Sequence, residues 1–263
     1  MTELPDVART AIGAARLRAQ ESERPDRLFD DPYAKAFATG EGPVRELFAD
    51  HLAFRTRFFD DHLLGAGLSQ VVLVAAGLDS RAYRLPWPPG LRLFELDLPE
   101  LLAYKDGVLA RLGAEPRCER VPVPVDLRED WPAALRAAGF DPAVPAAWLA
   151  EGLLIYLSAA EAGELLTRIG ALAAPGSSLA FEHDAGGAAR LMAAARTRPA
   201  MGRLAELWKG GLGEDAPAWL AARGWRPRTV GRAELAERYG RRWEGAGGFL
   251  TALRQGPAGS PPL

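Results

Sequence analysis

The chain has 263 residues, 48% of them hydrophobic and 25% charged, with a formal net charge of −2. That length gives one large domain, or a domain with a small appendage, with room for a full core, and the balance is ordinary for a globular chain. With no basic excess to displace phosphate counterions, nucleic acid is not an expected partner; the one cysteine, Cys118, makes neither an intramolecular disulfide nor a metal site.

The first residues, Met-Thr-Glu-Leu-Pro-Asp, show no apolar run of signal-peptide length, and no uninterrupted span of membrane length follows. A cytoplasmic protein without membrane contact is expected. Residues 5–65 read as helical: Ala8, Ala11, Ile12, Ala15 and Leu17 form an apolar stripe with Arg16, Arg18 and Arg24 on its polar side. A second helix is expected after Asp31 as N-cap with Pro32 in the first position, and a third over Pro43 to Leu64. Residues 1–65 are thus expected as a helical cap forming one structural unit with the core.

From residue 70 the period changes. Strands are expected at 71–75, 91–96, 121–126, 147–151, 177–182, 225–230 and 248–253, and helices at 80–84, 98–113, 131–139 and 159–173. Strands alternating with helices predict an α/β fold over residues 66–255, a doubly wound, mostly parallel seven-stranded sheet of Rossmann-like type. Gly113, Gly139 and Gly176 sit where helices should stop. An alanine-rich helical insert is expected over 185–210 and a last helix over 215–223. Arg232 to Tyr239 lies between the final two strands, a connection that suits an antiparallel pair at one edge. Arg223, Arg226, Arg228 and Arg232, followed by Glu234 and Glu237, read as a solvated face, and the Pro/Gly-rich tail 256–263 as frayed.

The chemistry gathers at the strand ends, where an open parallel sheet binds its ligands. The run Val71 to Val74 opens into a turn at Gly77 beside Asp79, and twenty residues after Gly77 the second strand ends in Asp97. The glycine lets backbone pass close to a ligand, and Asp97 is placed to accept from two ribose hydroxyls. Ala-Ala-Gly-Leu-Asp-Ser lacks the three glycines that bring a pyrophosphate onto a helix N-terminus, so a nicotinamide dinucleotide is disfavoured and S-adenosylmethionine fits better. Acids close the next strands too: Asp126, Glu151, and Glu182 with Asp184. Asp126 and Leu127 are placed for the adenine and Glu151 for the cationic methionine end, with Arg57 and Arg18 as candidates for the α-carboxylate. For each acid alone a helix cap is the simpler reading, and for each arginine a surface position. Five acids in succession after apolar strands favour a site.

Seven ordered motifs carry a resemblance: Arg-Ala-x-Glu-Ser at 18–22, Phe-Asp-Asp-Pro-Tyr-Ala at 29–34, Arg-Thr-Arg-Phe-Phe-Asp-Asp at 55–61, Ala-Ala-Gly-Leu-Asp-Ser-Arg-Ala-Tyr-Arg-Leu at 75–85, Phe-Glu-Leu-Asp-Leu-Pro at 94–99, Val-Asp-Leu-Arg at 125–128 and Ala-Glu-Gly-Leu-Leu-Ile-Tyr-Leu at 150–157. The chain resembles the leucine carboxyl methyltransferase family, within it the bacterial branch linked to O-methylation of polyketides and other secondary metabolites. The resemblance implies a class I methyltransferase fold with a helical N-terminal cap. It also implies S-adenosylmethionine binding by Gly77, Asp97, Asp126, Leu127 and Glu151, with an arginine reaching the cofactor carboxylate. Arg55 and Arg57 both fall in the matching motif and Arg57 is taken as the match; Arg18 matches more loosely.

Methyl transfer to a carboxylate needs no general base, because the acceptor is already ionised. Of the three histidines, His51, His62 and His183, only His183 stands at a strand end, where solvent exposure is as good an expectation as a role as base. A small-molecule carboxylate is therefore the expected acceptor. The alternatives are a phenol or hydroxyl acceptor served by His183, and a protein that binds the cofactor without catalysis.

Overall fold

The computed structural model describes residues 6–38, 49–183, 206–243 and 247–256. Asp184 and the insert up to residue 205 lie outside the described residues, as do 257–263 of the tail, while 206–210 is turn and irregular chain, not helix. Seven strands form one mixed sheet in the order β3-β2-β1-β4-β5-β7-β6, and the chain divides into two compact units, Met1–Phe140 and Asp141–Leu263.

In the first unit, helices α1 (Asp6–Ser22), α2 (Ala34–Phe37) and α3 (Ala49–Gly65) precede β1 (Gln70–Val74), α4 (Arg81–Arg84), β2 (Arg92–Asp97), α5 (Pro99–Arg111), β3 (Glu119–Pro124) and α6 (Trp131–Ala137). Every residue of β1 is buried, as an inner parallel strand requires. β1 pairs with β2 and β2 with β3, all parallel. β3 lies at the sheet edge, where Pro122 and Pro124 remove amide donors and blunt the edge. α2 departs from expectation: Asp31 accepts from the Tyr33 and Ala34 amides at 3.2 and 3.1 Å, but it caps a turn, and the helix starts only at Ala34.

Behind β2 lies a buried ion cluster. Glu95, fully buried, receives Lys105 of α5 at 2.8 Å and Arg120 of β3 at 2.8 Å, so its charge is matched from both sides. Removing one partner from such a group leaves an uncompensated buried charge, which costs about 3–5 kcal/mol.

The second unit carries β4 (Ala146–Ala150), a 3₁₀ turn at Leu154–Tyr156, α7 (Ala159–Leu172), β5 (Ser178–His183), α8 (Ala216–Ala221), β6 (Trp225–Gly231), α9 (Arg232–Tyr239) and β7 (Gly248–Arg254). β4 and β5 are parallel, and β7 runs antiparallel to both β5 and β6. A reciprocal cap starts α7: Ser158 accepts from the Glu161 amide and Glu161 from the Ser158 amide. The arginines at 223–228 are exposed, and Glu234 pairs with both Arg228 and Arg238, the solvated face expected there.

His62, on α3, has its Nε2 buried with no hydrogen-bond partner. Burial holds its pKa down to about 4. Above the unfolded value near 6.5 both states are neutral and nothing is lost. Below it the unfolded chain binds a proton that the folded chain refuses, so stability falls between pH 6.5 and 4, by on the order of 3 kcal/mol. Chemical denaturation of His62→Leu across that range should show a shallower loss than the parent chain. Parallel curves would contradict the burial of this imidazole.

Candidate functional site: the turns after β1 and β4

β1 ends at Val74, and the chain turns back at once. Ala75 has φ +57°, the only non-glycine among the described residues in the left-handed region, and Gly77 has φ +51°. A Cβ on Gly77 would meet only the Ala11 Cβ, at 3.5 Å. Glycine is therefore required here by backbone conformation, and α1 packs against the Cβ side of the turn through Ala11. Such a turn leaves amides without ladder partners, and the neighbouring strand supplies one. The Asp97 carboxylate accepts from the Gly77 N–H at 2.6 Å through one oxygen and from the Leu98 N–H at 2.7 Å through the other. Asp97 does not cap α5, whose N-cap is Leu98 with no side-chain cap. Burial pushes the Asp97 carboxyl up, against the pull of the two amides and the charge of Lys105. Each oxygen keeps a second lone pair, so the carboxylate can still accept from a diol.

The other expected residues of this unit fare differently. Arg18 is buried, not a surface arginine: its Nε donates to Asp31 at 2.8 Å and its Nη2 to the Leu78 carbonyl of the turn at 2.7 Å. Arg57 is half-exposed and donates to Asp61 at 2.8 Å and to the Leu28 carbonyl at 2.9 Å. Asp79 is turned inward onto Arg81, which also donates to Asp60 at 2.7 Å, and Arg84 joins Asp60 at 2.6 and 2.7 Å. Burial alone would raise the Asp79 pKa, but Arg81, Lys105 and Arg84 outweigh it and bring it to about 2. Asp79 thus fastens the turn to α3. Asp126, after β3, accepts from the Arg128 amide at 2.9 Å and pairs with the exposed Arg128 guanidinium, which holds its carboxyl below the usual range. Leu127 beside it is half-buried.

In the second unit, Glu151 directly follows β4 and is partly exposed. The next residue, Gly152, has φ +66°, and its N–H is held by both oxygens of Glu182 at 2.8 and 2.9 Å. His183 is 6% exposed, so of the two expectations the solvent-facing one fails: it ends β5, paired in register with Gly248 of β7, and is buried. Two parts of the arrangement were missed in the sequence, the Asp60–Arg81–Arg84 network and the hold of Glu182 on Gly152. The glycine after Glu151 was the available signal for the second, because a tight turn there leaves an amide to satisfy. Nothing local signalled the first.

The same fold occurs in solved methyltransferases. Magnesium protoporphyrin IX methyltransferase from Synechocystis, with bound S-adenosylhomocysteine, has a TM-score of 0.54 at 16% identity, covering 85% of this chain and 93% of that one. A Thermobifida fusca protein reaches 0.53 at 16% identity, covering 96% of each chain. The fold is that of the class I S-adenosylmethionine-dependent methyltransferases. The leucine carboxyl methyltransferase family model matches residues 11–170, and the chain belongs to that family. A Parafrankia protein provisionally named an S-adenosyl-L-methionine-dependent methyltransferase is 51% identical over 94% of this chain and 87% of its own length. A Frankia alni protein with the same kind of name is 48% identical over 95% of each. The cofactor is S-adenosylmethionine, and the first unit fits it: a glycine turn closed by a part-buried carboxylate, each oxygen of which accepts one amide and keeps a lone pair.

Asp97 closes the turn, and if it also holds the ribose, Asp97→Ala should act twice. Calorimetry should show cofactor binding weaker by at least about 1.5–3 kcal/mol, and thermal denaturation a lower melting temperature from the orphaned Gly77 amide. Unchanged affinity would remove Asp97 from the site. Gly77→Val sets a branched side chain against the Ala11 Cβ and forces it to positive φ, a strain of about 1–3 kcal/mol. The variant should fold by circular dichroism and fail to bind cofactor; a variant that does not fold would make Gly77 a folding glycine first.

Proposed function

We propose that the protein transfers a methyl group to a carboxylate oxygen of a small molecule. In this reading Asp97 holds the cofactor ribose, Asp126 and Leu127 the adenine, Glu151 the α-amino end, and Gly77 gives the backbone its close approach. Arg18, anchored on the turn carbonyl of Leu78, or Arg57 on α3 reaches the α-carboxylate. When bound, S-adenosylmethionine supplies an electrophilic methyl on a sulfonium. The protein's own part is to hold and orient it, keep water from the reacting centre and offer fixed charges.

One observation carries the choice of acceptor. The strand-end acids are committed to fixed donors: Asp79 to Arg81, Asp97 to two amides, Asp126 to Arg128 and Glu182 to the Gly152 amide. Of these, Asp79 and Asp126 are poor proton acceptors, because their arginine partners hold both carboxyls below the usual range. They suit an acceptor that arrives deprotonated. A phenol would need His183, whose position at the end of β5 is the observation favouring that second reading. The natural-product character of the acceptor rests on the likeness of the motifs alone.

A carboxylate acceptor, with pKa near 4, stays ionised across the neutral range. In a screen of carboxylate and phenol acceptors with labelled methyl donor, the active class should be carboxylates, with turnover flat from about pH 6 to 8.5. His183→Gln, chosen because truncating a buried side chain leaves a cavity, should then lose little. A rate rising through about pH 6.5 together with a loss of ~10²-fold in that variant would transfer the proposal to a phenol. Binding without any S-adenosylhomocysteine formed would favour a non-catalytic role.

A further inference from the structure

Glu182 repeats on the second unit what Asp97 does on the first. In both, a parallel strand ends in a turn whose glycine has positive φ, +51° at Gly77 and +66° at Gly152. In both, the amide of that glycine is taken by a carboxylate at the end of the next parallel strand: Asp97 on Gly77 at 2.6 Å, Glu182 on Gly152 at 2.8 and 2.9 Å. The register of β4 and β5 pairs Ala150 with Phe181, so one step on, Glu151 and Glu182 stand at matching positions. Two acids there repel unless one is neutralised by fixed donors or both face a cation. The Gly152 amide holds Glu182, and the turn it holds is the one that begins with Glu151.

We propose that Glu182 is a positioning residue: by fixing the Gly152 amide it sets the turn so that Glu151 meets the cationic amino-acid end of S-adenosylmethionine. The inference rests on the assignment of Glu151 made above. It assigns Glu182 no contact with the acceptor and no proton transfer. Its consequence is selective, since a residue that shapes only the turn after β4 matters for the methionine half of the ligand and not for the nucleoside half.

The test compares two ligands by calorimetry on the full chain: S-adenosylmethionine, and 5′-methylthioadenosine, which keeps the nucleoside and lacks the amino acid. Glu182→Asp keeps the charge but is one methylene too short for the Gly152 amide, while Glu182→Gln keeps the reach and an acceptor oxygen. Glu182→Asp should weaken S-adenosylmethionine about tenfold and leave 5′-methylthioadenosine within about twofold, the scale of one lost hydrogen bond. Glu182→Gln should restore most of the affinity, and Glu151→Gln should show the same selectivity as Glu182→Asp. If Glu151→Gln is selective and Glu182→Asp is not, the positioning role is overturned while the Glu151 assignment stands. If Glu151→Gln leaves the advantage of S-adenosylmethionine intact, the assignment itself fails. Equal loss of both ligands in Glu182→Asp, or a Gln variant as impaired as the Asp variant, would also overturn the proposal. Should Glu182→Asp fold poorly, Glu182→Met, which has the length but no acceptor, carries the same comparison.

Discussion

The hydrogen bond from the Gly77 amide to the Asp97 carboxylate is the constraint around which the first unit is built. After β1 the backbone enters the left-handed region at Ala75 and again at Gly77; the Ala76 amide between them still donates to the Leu96 carbonyl of β2 at 3.0 Å, and the Gly77 amide turns to the Asp97 side chain. A buried amide left unpaired costs about 1–3 kcal/mol. The parallel register, which pairs Val74 with Leu96, brings the end of β2 level with the turn, and a carboxylate of the right length satisfies the amide. That carboxylate also keeps lone pairs, so in our proposal closing the fold and holding the cofactor ribose fall to one residue.

The surrounding charges make this arrangement durable. Asp79 is spent on Arg81, and Arg81 and Arg84 share Asp60 of α3, so the turn is locked to the N-terminal helices through buried ion pairs. Arg18 adds a bond from α1 to the Leu78 carbonyl. Glu95, two residues before Asp97, is neutralised by Lys105 and Arg120. Each of these groups is matched within the protein, and Asp97 alone among them faces only backbone amides through its carboxylate oxygens. The acid proposed for the ribose is the one whose partners leave it room to accept more.

The sheet was legible in the sequence because its signal is local. Each of the seven expected strands begins within two residues of an observed one, and the antiparallel pairing of β6 with β7 followed from their short spacing. The positions of Gly77, Asp97 and Glu151 could be found for the same reason: a strand end followed by glycine or acid marks a turn. What the residues there touch was not legible. Arg18 reads as the polar face of an amphipathic helix, yet it is buried against a carbonyl sixty residues on, and His183, for which exposure was as good an expectation as a role as base, is buried. These depend on which elements pack together, and hydrophobic period says nothing about partners. The hold of Glu182 on Gly152 spans thirty residues and was hidden for the same reason.

The central claim, that Asp97 serves the turn and the cofactor at once, is tested most directly by a crystal structure of the protein with S-adenosylhomocysteine. Both ribose hydroxyls should lie within hydrogen-bonding distance of the Asp97 carboxylate while the Gly77 amide remains bonded to it. A ribose bound elsewhere, or a Gly77 amide released from Asp97 when the ligand binds, would contradict the account.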